Sequence, residues 1–140
     1  MTQHQVKVKE YLSQAVNIDR RIEAKMGQLS ELRALATKVT GTFSDMPKAQ
    51  GSDGSRMENV VCRIVELEDD IRQDLSKLLE TKGAIMRTIK TVDNYKLQAV
   101  LELRYLSGKS WEAIAHDMDC SIDNLYKLHK KALEKVKIFY

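Results

Sequence analysis

The sequence predicts an all-α protein in two parts: a long antiparallel helical hairpin, coiled-coil-like, over residues 1–92, and a helix-turn-helix over residues 93–140. Three observations carry this. Apolar residues recur with a seven-residue rhythm through two long segments, the spacing of a helix packed lengthwise on another. Between them "GTFSDMPKAQGSDGS" has Gly41, Pro47, Gly51 and Gly54 and no helical period, which marks a loop over 41–55. Finally, "SWEAIAHDMDCSIDNLYKLHKKALEKV", from Ser110, divides into two short apolar-periodic segments that meet at "DCS".

The first long segment carries Val8, Tyr11, Ala15, Ile18, Ile22, Leu29, Leu32, Ala36 and Val39 on one seam. Lys25 interrupts it, with Met26 alongside. The second runs from Met57 through Val60, Ile64, Leu67, Ile71, Leu75, Leu78, Ile85 and Ile89 to Val92. Here Asp74 occupies an apolar position, and Leu75 is expected to supply the contact instead. Each helix should extend roughly 50–55 Å at 1.5 Å per residue. Gly27 and Gly83 fall inside these helices at a cost of about 1 kcal/mol each relative to Ala. Near-equal helices joined by one loop make an antiparallel hairpin the simplest arrangement, and a hairpin buries only one stripe of each helix. A partner subunit or the C-terminal helices would cover any apolar surface left over. The acidic run Glu66–Asp70 reads as a solvated face.

Asn94 to Leu106 reads as a helix with Leu97, Val100, Leu101 and Leu103 apolar, broken at Gly108. Ser110 is placed to cap the next helix, and Glu112 falls in the first turn, where the helix dipole favours an acid. That helix presents Trp111, Ile114, Ala115 and Met118. Ser121 can cap the last one, whose expected buried face is Ile122, Leu125, Leu128, Ala132 and Val136, with Leu133 alongside. A helix-turn-helix needs a small residue where the helices cross, here Ala115, and apolar residues on either side of the turn, here Met118 and Cys120. The turn usually holds a left-handed glycine; this chain has Asp119, which tolerates that conformation better than most residues.

With that face buried, Ser121, Asp123, Asn124, Tyr126, Lys127, Lys130 and Lys131 are the candidate DNA-contacting residues. Asn124 can make paired hydrogen bonds to adenine, and Lys127 can reach guanine acceptors in the major groove. Ser121, Tyr126, Lys130 and Lys131 suit phosphate contacts, which position without reading sequence. Asp123 could accept from cytosine but repels phosphate. The whole chain carries a net charge of only +3, yet residues 121–140 hold five lysines against Asp123 and Glu134, a local +3. That is an electrostatic footprint for nucleic acid, or equally a solvated helix end whose lysines favour the C-terminal dipole.

Several function classes find no support. Cys62 and Cys120 lack CxxC spacing and read as small buried hydrophobes in a reducing compartment. His116 and His129 have no ligand-like company and read as surface or groove-edge histidines, so no metal or other cofactor is expected. No catalytic constellation stands out, and an enzyme is the least supported class. No signal peptide opens the chain and no apolar run approaches the ~20 residues of a membrane span, which points to a cytoplasmic protein without membrane contact.

The stretch "VLELRYLSGKSWEAIAHDMDCSIDNLYKLHKKALEKV", Val100 to Val136, resembles the fourth region of bacterial sigma factors. The shared pattern is an "LRYL" helix, a "GKSWEAIA" first helix and a "CSIDNLYKLHKKAL" recognition helix. In size, architecture and the "LYKLHKKAL" ending, the whole chain resembles the small phage-encoded RinA and ArpU regulators of Gram-positive bacteria, which are associated with control of late phage genes. The resemblance implies a phage-derived, sequence-specific transcriptional regulator with a sigma region 4-like helix-turn-helix. Double-stranded DNA would be its partner, RNA polymerase a further candidate, and a homodimer its expected state. Sigma's other core-binding and promoter-melting regions are not recognisable, and Asp119 and Asp123 depart from the commoner pattern, so no target sequence transfers. Two other classes stay open: a DNA-packaging protein like a phage small terminase subunit, which would form rings, and a helical adaptor that binds RNA polymerase without touching DNA.

Overall fold

A computed structural model describes residues 1–45 and 52–138, with the side chains of 39–45, 52 and 53 outside the described set. The chain is helical, with no strand among the described residues. Its elements are α1 (Gln3–Leu12), α2 (Gln14–Asp45), α3 (Ser52–Ile89), α4 (Tyr95–Leu101) running into a π turn (Glu102–Leu106), α5 (Trp111–Asp117) and α6 (Ile122–Lys135). The interval between α2 and α3 is shorter than the loop expected over 41–55. Helix takes in Gly41 on one side and Gly54 on the other, and Pro47 and Gly51 lie outside the described residues. Glycine lowers helix propensity by only about 1 kcal/mol, which the remainder of a long helix readily offsets.

Contacts divide the chain into two compact units, Met1–Asp19 with Lys77–Tyr140, and Arg20–Ser76. This differs from the boundary expected at 92/93, because the N-terminal segment packs with the C-terminal helices. Thr2 opens α1 with a capping box: its hydroxyl accepts from the Gln5 backbone N–H, and the Gln5 Oε1 accepts from the Thr2 N–H. Gln5, Val8 and Leu12 then form a buried stripe one turn apart. The Gln5 amide donates to the Lys130 carbonyl at 3.1 Å, and His4 Nε2 lies 3.1 Å from the Val136 carbonyl, so α1 is bonded along the back of α6. A one-residue break at Ser13 separates α1 from α2. There the hydroxyl bonds back to the Lys9 carbonyl at 2.7 Å, the local competition that commonly bends a helix at serine.

In this first unit α6 packs against α1, α4 and α5. Asn94 caps α4 by accepting from the backbone N–H groups of Lys96 and Leu97. Leu97, Val100 and Leu101 from α4, Ile114 and Ala115 from α5, and Leu125, Ala132 and Leu133 from α6 are buried, and Val136 beyond α6 joins them. Ile122 and Leu128, expected on the same face, are half-buried and pack against this core from its edge.

In the second unit Ile22 and Leu29 of α2 and Val60 and Ile71 of α3 are buried. Leu32 and Ala36 are half-buried, and the Val39 side chain lies outside the described residues. The two polar interruptions of the seams meet each other: Lys25 Nζ donates to Asp74 Oδ2 at 2.7 Å, and Arg21 Nε approaches the same oxygen at 3.7 Å. Leu75 does not replace Asp74 in this seam as expected; it is 48% exposed. The reason is that an aspartate carrying its own cation can hold a half-buried position. Cys62 is also exposed rather than buried, since it lies two residues from both Val60 and Ile64 and so on the far side of the helix.

Candidate nucleic-acid interface

The corner between α5 and α6 is built from backbone geometry. Asp119 is the one non-glycine residue among those described with positive φ, at 53°. Its N–H bonds to the His116 carbonyl at 3.2 Å, and the Cys120 N–H reaches back to the Ala115 carbonyl at 3.0 Å. This pair of bonds around a left-handed residue is a Schellman motif, which satisfies the orphan carbonyls at the end of α5 and turns the chain sharply. Met118 and Cys120, on either side of Asp119, pack against the buried cluster of Val100, Ile114, Ala115 and Leu125. The small Ala115 side chain therefore lies buried where the corner folds over it. Ser110 and Ser121 start the two helices as expected, each hydroxyl accepting a backbone N–H three residues on, from Ala113 at 3.2 Å and Asn124 at 3.1 Å.

Behind α6 lies a polar and aromatic cluster that the sequence reading did not single out. The Tyr105 hydroxyl, carried on the π turn, and His129 Nε2 share a buried hydrogen bond of 2.6 Å. Trp111 meets His129 edge-on with ring centroids 4.6 Å apart, and its ring also packs at 5.5 Å against Tyr126. The Arg104 guanidinium sits 4.4 Å over the Trp111 ring and donates to the Lys109 carbonyl. His129 is thus a core residue, 3% exposed, and not the surface or groove-edge histidine expected. Burial, reinforced by the positive charges of Lys9 and Arg104, pushes its pKa down to about 4. Burial pushes Tyr105 up to about 12 against the opposing pull of Arg104, so both partners are neutral near pH 7. His116, by contrast, is exposed, as expected. Beside it, a hydrogen bond from Lys109 Nζ at 2.6 Å holds the Asp117 carboxyl below its ordinary range.

All seven candidate contact residues lie on the open side of this assembly: Ser121, Asp123, Asn124, Tyr126, Lys127, Lys130 and Lys131 are exposed. Two of them also have structural duties. Ser121 caps α6, and Tyr126 rests one ring edge on Trp111 while remaining 43% exposed. Asp123 sits in the first turn, where its charge complements the helix dipole. Among the described residues no group of three or more His, Cys, Asp or Glu could hold a metal ion, and no helix is long and apolar enough to cross a membrane.

A family model described as a protein of unknown function, DUF1492, matches residues 38–137, well over half of the chain. The chain belongs to this family. The matched region takes in α4, α5 and α6 whole, so the corner at Asp119 and the exposed lysines of this DUF1492 protein lie within it, whereas α1 precedes it. No curated protein and no solved structure matches the chain.

Proposed function

We propose that this protein is a sequence-specific DNA-binding transcriptional regulator, phage-derived and acting near promoters, whose α5 and α6 form a sigma region 4-like helix-turn-helix. The observation that carries the reading is the partition of α6. Leu125, His129, Ala132 and Leu133 are buried against α1, α4 and α5, while Asn124, Tyr126, Lys127, Lys130 and Lys131 are all exposed. A recognition helix requires this division, with one face fixed to its own domain and the other offering a bidentate amide and cations to a groove. Asn124 and Lys127 read bases, and Ser121, Tyr126, Lys130 and Lys131 hold phosphates. The left-handed turn at Asp119 and the small Ala115 beneath it support the same arrangement.

Residues 20–76 then serve as a hairpin that sets oligomeric state or partner contact. Ion pairs there fall in antiparallel order, Lys25 with Asp74 and Arg33 with Glu68, which supports that reading. A homodimer would present two recognition helices to a pseudo-palindromic site, and RNA polymerase is the further partner we propose. The proposed regulator is cytoplasmic and does no covalent chemistry.

Fluorescence anisotropy with a labelled duplex, titrated at several salt concentrations, tests the reading. The two lysine–phosphate contacts of each recognition helix, Lys130 and Lys131, should weaken binding about tenfold between about 50 and 200 mM salt. Lys130→Ala and Lys131→Ala should each flatten the dependence of log affinity on log salt by about one. Binding that is absent, or indifferent to salt and to both substitutions, would favour the adaptor reading.

A further inference from the structure

The second unit has a face that its own seam does not use. On α3, Val61, Val65 and Leu75 are 44%, 61% and 48% exposed, although each is a large apolar side chain. Their spacing, with Glu68 and Arg72 between them, is 4, 3, 4 and 3 residues, so all five fall in one narrow stripe along the helix. The stripe lies about a quarter-turn from the buried row of Val60 and Ile71. It therefore repeats the pattern of a packing seam on a side that the described residues of this unit leave open. Arg72 is largely exposed at 71%, with a 3.6 Å approach to Asp69 on its own helix. Glu68 is held by Arg33 at no closer than 3.9 Å.

We infer that this stripe is the contact between two copies of the chain, with α3 packed antiparallel on its counterpart about a two-fold axis near residue 70. The charge order decides the occupant and its direction. In that register Val65 of one copy faces Leu75 of the other, and Glu68 faces Arg72, twice over by symmetry. A parallel pair in register would set Glu68 against Glu68 and Arg72 against Arg72, which repels. Asp70, close to the axis in sequence, lies on the opposite side of α3 and does not oppose its own copy. The sequence between Val65 and Leu75 is thus complementary to itself reversed, as an isologous two-fold interface requires. This inference rests on the homodimer in the function proposed above, but not on DNA binding.

Sedimentation velocity of the full chain without DNA tests it, using Glu68→Arg and Arg72→Glu separately and mixed. Wild type should sediment as a dimer, and each variant alone should dimerise at least tenfold more weakly, because its two copies then oppose like charges. An equimolar mixture should recover dimers. The two substituted positions then face each other with opposite charges, and the Arg72 and Glu68 that each variant retains form the second pair. Circular dichroism melts of both variants report that they remain folded; recovery on mixing in any case requires folded chains. A monomeric or ring-forming wild type, undiminished dimers in both variants, or folded variants that fail to recover on mixing would each overturn the inference. The DNA titration is read separately, so a failure here leaves the recognition-helix assignment to its own test.

Discussion

Tyr105 and His129 form a hydrogen bond between two neutral groups in the core, and this gives the fold a pH dependence of known sign. His129 titrates near 4 in the folded chain and near its ordinary 6.5 when unfolded, so the unfolded state binds more protons between those values. The stability that its neutral form provides is complete above about 6.5 and is lost as pH falls towards 4, in total about 3 kcal/mol. Chemical denaturation at pH 7.5 and 4.5 should show this loss, and His129→Phe should remove most of the slope. Tyr105→Phe should cost about 1–3 kcal/mol by leaving the His129 ring nitrogen without its partner. The burial of His129 was available in the sequence. It sits four residues after Leu125 and three before Ala132, in the middle of the buried stripe, and position along the helix outweighed residue type. Cys62 teaches the same lesson in reverse, since an apolar-looking residue stands off the stripe and is exposed.

Among the elements, the left-handed turn at Asp119 and the Lys25–Asp74 pair make the sharpest claims. Asp119→Gly should stabilise the corner by about 0.5–1 kcal/mol, whereas Asp119→Val, with a branched side chain at positive φ, should destabilise it by about 2 kcal/mol or more. Thermal melts of the two variants would therefore move in opposite directions. Removing either Lys25 or Asp74 leaves a half-buried charge and should cost about 1–3 kcal/mol, while Lys25→Met with Asp74→Leu together should recover most of that loss. A double-mutant cycle measures the difference. The long helices, the caps at Ser110 and Ser121 and the corner were legible because each is set by residues within a turn or two of one another. Both polar interruptions were also visible, but not that each answers the other, because that depends on the register between distant segments. The docking of α1 on α6 was hidden for the same reason: the Gln5 amide finds its acceptor 125 residues away. Composition marked a break over 41–55, yet helix takes in Gly41 and Gly54, since glycine near a helix end is only a weak stop.

At the scale of the whole molecule, two surfaces would have different tasks. The exposed side of α6 in the first unit would contact DNA, and the second stripe of α3 in the other unit would join copies. Disrupting the α3 stripe with Val65→Lys should leave the monomer folded and weaken DNA binding to a two-half-site duplex far more than to a single half-site, because avidity from the second recognition helix is lost. Titrating both duplexes with wild type and variant checks this. The central claim, that α6 reads sequence, is tested most directly by selecting bound duplexes from a randomised library with wild type, Asn124→Ala and Lys127→Ala at fixed moderate salt. Wild type should enrich a motif whose preference relaxes at one position in each variant, with a loss of about 1–3 kcal/mol in affinity for the selected site. No enrichment by wild type, or the same motif enriched equally by all three proteins, would contradict it.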